Sequence, residues 1–182
     1  MSIVVAFLEA NCRVGIFADK KVVWSDSKGN IHRTDEIFKV YSISDTIAYG
    51  ITGDPVWGIA LAQELLNSAT NRASELIELI KKHPKPKEEG STFTLIGIYD
   101  NKLPFIFAYK TCGSSSISLN ETAYSFATSP EQYLENCKEY FFNQKELGYD
   151  LEKCCVDTIK FASQQNPAFI SETYDSFEIL YK

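Results

Sequence analysis

The chain has 182 residues, 18 basic against 24 acidic, a formal net charge of -6, and 45% hydrophobic with 23% charged residues. That length suits one domain with a substantial core, and the composition excludes a disordered, collagenous or low-complexity chain. The acidic balance offers no general attraction to phosphate backbones or anionic membranes, so neither nucleic acid nor a membrane is an expected partner.

Residues 3–8 and 14–18 are β-branched and apolar around a polar connection and read as a hairpin. Residues 36–41 and 46–51 read as a second pair joined by the turn formers Ser42, Ser44 and Asp45, so four strands precede any helix. Asp54 followed by Pro55 is a helix N-cap with proline at the first helical position, and Trp57, Ala60, Leu61 and Leu65 recur at helical spacing. A second helix runs through Ala73, Leu76, Ile77 and Ile80 and closes on Lys81 and Lys82, whose charges suit a helix C-terminus. The prolines and charges of residues 83–91 make a loop.

Strands return at 92–99, at 104–109 after an Asn101-Lys102 turn, and at 123–127, with a short one near 116–119. Ser129, Pro130 and Gln132 have the form of a capping box with proline at its start, opening a helix that buries Tyr133, Cys137, Tyr140 and Phe141. Asp150 caps another helix through Leu151, Cys154, Cys155, Ile159 and Ala162, and residues 174–181 form a closing strand. Strand blocks separated by helix pairs do not make a parallel βαβ sheet; each block forms an antiparallel sheet whose apolar face needs cover. The expected fold is α+β: a four-layer αββα sandwich, two antiparallel sheets between two helix pairs, in a single domain over residues 1–182.

The five cysteines lack C-x-x-C spacing and read as reduced, mostly buried thiols. The start has no basic segment ahead of an apolar run, and no apolar stretch approaches the roughly 18 residues that span a bilayer. A reducing cytoplasm is the expected compartment. His32 and His83 lack zinc-ligand spacing and read as surface residues, residues 113–116 read as a turn rather than a phosphate loop, and no metal or cofactor is expected.

Three segments carry a resemblance: Phe17-Ala18-Asp19-Lys20-Lys21, Phe38-Lys39-Val40-Tyr41 and Tyr49-Gly50-Ile51-Thr52-Gly53-Asp54-Pro55. With the strand-first order, they resemble the proteasome β-subunit and HslV family of N-terminal nucleophile hydrolases, best over residues 2–66 and by element order beyond. The resemblance implies a threonine/serine-type amidase of the peptidase kind, acting on peptide or protein. It also implies a homo-oligomeric ring, to which an ATP-dependent unfoldase would couple. By family position Ser2 attacks, Asp19 and Lys39 tune it, Gly53 offers an oxyanion amide and Ser129 supports the amine. Val22, Ile51 and Pro55 line the specificity pocket, whose apolar character suits hydrophobic or small side chains.

Such chemistry needs an N-terminal hydroxyl residue, because its own α-amine, with an ordinary pKa of about 7.7 to 8.0, can take the hydroxyl proton. A nearby ammonium disfavours protonation of that amine, and a glycine N–H can meet the oxyanion. Removal of Met1 would expose Ser2. Local readings compete. Strand alternation also allows Lys39 to point outward, Asp19 and Gly53 can be turn residues, and Ser129 reads mainly as a helix cap. The family's Asp-x-x-Ser segment falls at residues 166–169, where Asn166 replaces the aspartate and the serine is missing unless Ser171 substitutes. Matching Ile3-Val4 to the family's first strand puts Met1 rather than Ser2 at the nucleophile position. The alternative function is a catalytically inactive ring or scaffold subunit.

Overall fold

The computed structural model of the chain describes residues 2–25, 27–34, 37–68, 70–85, 90–100, 102–112, 114–129 and 131–181. Strands β1 (Ser2–Glu9) and β2 (Arg13–Asp19) form the expected hairpin. A short hairpin follows, β3 (Val22–Ser25) and β4 (Ile31–Thr34), then β5 (Val40–Ser44), β6 (Ile47–Thr52), α1 (Pro55–Asn67) and α2 (Ala73–Lys82). The second half runs β7 (Thr92–Ile98), β8 (Pro104–Lys110), β9 (Ser115–Leu119), β10 (Ala123–Ser129), α3 (Leu134–Glu146), α4 (Leu151–Gln165) and β11 (Tyr174–Leu180).

The two large sheets have the orders β10-β1-β2-β11 and β5-β6-β7-β8-β9, antiparallel throughout. β1 is covered on both faces, so it carries no alternation and is buried from Ser2 to Leu8. Val4, Ala6, Ile16 and Ala18 face Ala48, Ile96 and Ile106 across the gap between the sheets. The opposite side of β1 and β2, with Ile3, Val5, Phe7 and Phe17, packs on Phe141 of α3 and Cys155 and Ile159 of α4. Tyr49, Phe93 and Phe107 of the second sheet pack beneath Trp57 and Leu61 of α1 and Leu76 and Ile80 of α2. Each large side chain so buried contributes about 1.5 to 3 kcal/mol. The result is the αββα sandwich.

Asp54 and Asp150 cap α1 and α4 as their sequences dictate, accepting N–H bonds from Val56 at 2.8 Å and Glu152 at 3.2 Å. Other expectations are corrected. Among the described residues six strands, not four, precede α1, because β3 and β4 pair and the β4 side chains, mostly exposed, carry no buried alternation. The strand expected from residue 36 starts at Val40; Glu36 lies outside the described residues. Ser129 is not a helix cap. It ends β10, a 3-10 turn spans Glu131–Tyr133, and α3 begins at Leu134 without a side-chain cap. The local serine-to-glutamine signal loses to the pairing of Ser129 with Ser2 across the sheet. Pro130, Asn101, Gly113 and residues 86–89, which carried other turn and loop expectations, lie outside the described residues.

Cys137, Cys154 and Cys155 are buried and Cys12 and Cys112 exposed, all as free thiols. His32 is exposed on β4, whereas His83 Nδ1 lies 2.5 Å from Glu64 Oε2. Among the described residues no helix is long and apolar enough to cross a membrane.

Candidate active site

β1 begins and β2 ends at one rim of the sandwich, where polar groups are buried. A carboxylate out of water must be satisfied by protein donors, and Asp19, at 0% exposure, has several. Its Oδ1 accepts from Ile3 N–H at 2.9 Å and Lys39 Nζ at 2.8 Å, and its Oδ2 from Lys21 N–H at 3.0 Å and Ser171 N–H at 3.4 Å. Lys39 therefore points inward, at 7% exposure, and not outward as alternation alone allowed. Its own backbone N–H and that of Val40 both donate to Asp175 Oδ2 at 2.8 Å. Asp19 holds the ammonium and Asp175, on β11, holds the chain that carries it. Burial pushes the Asp175 carboxyl above its ordinary pKa, against the pull of these N–H bonds.

Gly53 follows β6 at φ 95°, a conformation that favours glycine. A methyl group there would also lie 2.6 Å from Ser91 Cα. Ser91 Oγ accepts the N–H of Asp54 at 2.8 Å and so fixes the turn from β6 into α1.

A cleft of about 110 Å³ is lined by Ser2, Lys39 and Gly53 together with Val22, Ile51 and Pro55. The residues singled out from the sequence as nucleophile, tuning cation, oxyanion donor and specificity wall thus share one space. Asp19 lies behind Lys39, and Ser129 faces Ser2 from β10. Pairing of β1 with β2 is regular from Glu9–Arg13 to Val4–Ala18, so the three-residue loop 10–12 sets a register that brings Ser2 into the cleft. Met1 lies outside the described residues. A larger cavity of about 410 Å³ has Ser129 in its wall, with Ser91, Lys110, Thr128 and Glu131.

The segment that departs from the family pattern is arranged differently. Asn166 ends α4, and its Nδ2 donates to the Tyr133 hydroxyl at 3.2 Å. Ser171 reaches Asp19 through its backbone, while its Oγ lies 2.6 Å from Thr173 Oγ1. Three residues at the site escaped the sequence reading: Asp175, Ser91 and Thr52. Asp175 and Lys39 are 136 residues apart, and no local pattern marks such a contact. For Thr52 and Ser91 the available signal was adjacency to the Gly53 turn.

No protein-family model matches the sequence, and no curated protein matches it. Solved structures do match. HslV from Trypanosoma brucei superimposes with a TM-score of 0.71 at 16% identity, over 98% of this chain and 99% of that one. BPH from Thiobacillus denitrificans, in complex with epoxomicin, gives 0.67 at 12% identity over 100% of both chains. The chain has the HslV and proteasome β-subunit fold.

Proposed function

We propose that the chain is an N-terminal nucleophile amide hydrolase, a proteasome-like peptidase whose attacking group is the Ser2 hydroxyl after loss of Met1. The observation that carries this reading is the shared cleft: a serine at the start of β1 beside a buried ammonium held by Asp19 and the Gly53 turn. The Ser2 α-amine takes the hydroxyl proton as Oγ bonds to the carbonyl carbon of an amide. The tetrahedral oxyanion accepts the Gly53 N–H. The protonated amine then gives its proton to the leaving nitrogen as the C–N bond breaks, leaving an ester on Ser2, and water hydrolyses that ester with the same amine as base.

Lys39 contributes charge. An ammonium near the amine favours its neutral form and stabilises the oxygen as it loses its proton. Ser129, opposite Ser2, supports the amine. Val22, Ile51 and Pro55 give the acyl side an apolar wall suited to small or hydrophobic side chains. A homo-oligomeric ring in the cytoplasm, served by an ATP-dependent unfoldase, follows from the resemblance.

A second reading, a catalytically inactive ring or scaffold subunit, is favoured by Asn166, an uncharged side chain bonded to Tyr133. Turnover of a fluorogenic peptide series separates the two. The peptidase reading expects Ser2→Ala and Lys39→Ala each to lower kcat/KM by about 10³-fold or more; a wild-type chain that starts at Ser2, forms a ring and turns over no peptide favours the scaffold.

A further inference from the structure

Thr52, the last residue of β6, is 1% exposed, and its Oγ1 has no hydrogen-bond partner among the described residues. A buried hydroxyl left unpaired is costly, so one at the wall of a cleft asks what it is placed to meet.

Strand alternation gives its direction. On β6, Ile47 and Tyr49 belong to the core beneath α1 and α2, and Ile51 packs on that core. Ala48 faces the other sheet. Gly50 does too, since a methyl there would meet Ile16 Cδ1 at 2.9 Å and Val4 Cγ1 at 3.0 Å. Thr52 is the next residue on that face. On β1, Ala6 and Val4 face the same gap, and Ser2 is the next residue on that face. Gly50 packs against Val4 and Ile16; two residues further along β6 and two back along β1, alternation directs Thr52 and Ser2 to the same gap at the rim. Both line the same cleft.

Two other hydroxyls near the rim are engaged elsewhere: Ser91 Oγ accepts from Asp54 N–H, and Ser171 Oγ from Thr173 N–H. The other unpaired buried side-chain oxygens among the described residues belong to Tyr124, Thr128 and Asp175, and none of these residues lines this cleft.

We infer that Thr52 is a positioning residue for the Ser2 α-amine: its hydroxyl oxygen accepts one amine N–H and turns the nitrogen lone pair toward the Ser2 hydroxyl. The inference rests on the Ser2 reading above. No bond forms or breaks at Thr52; the amine still takes and returns the Ser2 proton. An acceptor on the amine favours its protonated form, so removing the hydroxyl lowers the amine pKa while it frees the lone pair to wander.

The test uses the full chain with Thr52→Val, which keeps the shape without the hydroxyl, and Thr52→Ser, which keeps the hydroxyl. Two readouts are taken: kcat and KM on a fluorogenic peptide, and the titration midpoint of the Ser2 amine by NMR of ¹⁵N-serine-labelled protein. Thr52→Val is expected to lower kcat about tenfold with KM within about twofold, and to move the amine midpoint to lower pH. Thr52→Ser is expected to restore both. An active wild type with an unchanged Thr52→Val kcat and midpoint overturns this inference and leaves the Ser2 reading standing. If a processed wild type turns over no peptide, the midpoint alone decides, its shift supporting the inference and its constancy overturning it. A chain that retains Met1 has no Ser2 amine and overturns both.

Discussion

At one end of the β1–β2 hairpin Arg13 bonds Glu9 at 3.0 Å and also bonds Asp150; at the other end Asp19 bonds Lys39 at 2.8 Å. The side chains of the first cluster are 18%, 42% and 53% exposed, those of the second 0% and 8%. Water screens the first, which is worth about 0 to 1 kcal/mol and fastens the cap of α4 to the hairpin. The second has lost its water. Making such a pair costs desolvation that its attraction barely repays, so stability alone does not account for it. What burial provides is a cation that solvent cannot screen, at a fixed place in the cleft that also holds Ser2. The same chemistry is a fastening at one pole and, at the other, lies beside the cleft proposed as the active site.

The sharpest way to break this contrast is to remove one partner from each pair. Asp19→Ala takes the carboxylate from a buried ammonium and is expected to cost about 3 to 5 kcal/mol, together with all peptide hydrolysis. Arg13→Ala is expected to cost about 1 kcal/mol or less and to leave hydrolysis unchanged. Urea unfolding and a peptide assay measure both; equal costs would mean that the two poles are alike.

Gly53→Ala comes next. The left-handed φ and the collision with Ser91 together are expected to cost about 1 to 3 kcal/mol, and hydrolysis should fall further than stability explains, because the turn moves the proposed oxyanion N–H. Activity retained in a destabilised Gly53→Ala protein would remove that residue from the site.

The smallest effect lies in the pH dependence. The Arg13 hydrogen bond holds Asp150 below its ordinary pKa, so the folded chain binds fewer protons there than the unfolded one. That contribution is present above the ordinary carboxylate value and is lost as pH falls through the depressed pKa. Asp175 is shifted up by burial, so its contribution has the opposite sign: present at low pH and lost as pH rises through its raised pKa. Asp150→Asn should therefore flatten the acid loss of stability and Asp175→Asn should steepen it. Unfolding midpoints between pH 3 and 7 would show either slope.

The parts legible in the sequence are those whose cause is local. Asp54-Pro55 and Asp150 announce α1 and α4 because a cap is made within three residues. The strand blocks and helix pairs fixed the layer order, since each apolar face needs cover. β3 and β4 were missed because each is only four residues long and β4, mostly exposed, carries no buried alternation. Ser129 was misread because its capping signal is local, while its actual role is pairing with Ser2 at the far end of the chain. Lys39 was legible as a residue type in a family-like segment, but its direction was not; Asp19 and Asp175, 20 and 136 residues away, decide it.

The central claim is that the reactive group is the free amine and hydroxyl of Ser2. Peptide mass mapping of the purified chain after incubation with epoxomicin tests it most directly. The account predicts an N-terminal peptide that starts at Ser2 and carries one inhibitor mass, with no adduct in Ser2→Ala; an N-terminal peptide that retains Met1, or one that starts at Ser2 and stays unlabelled, would contradict it.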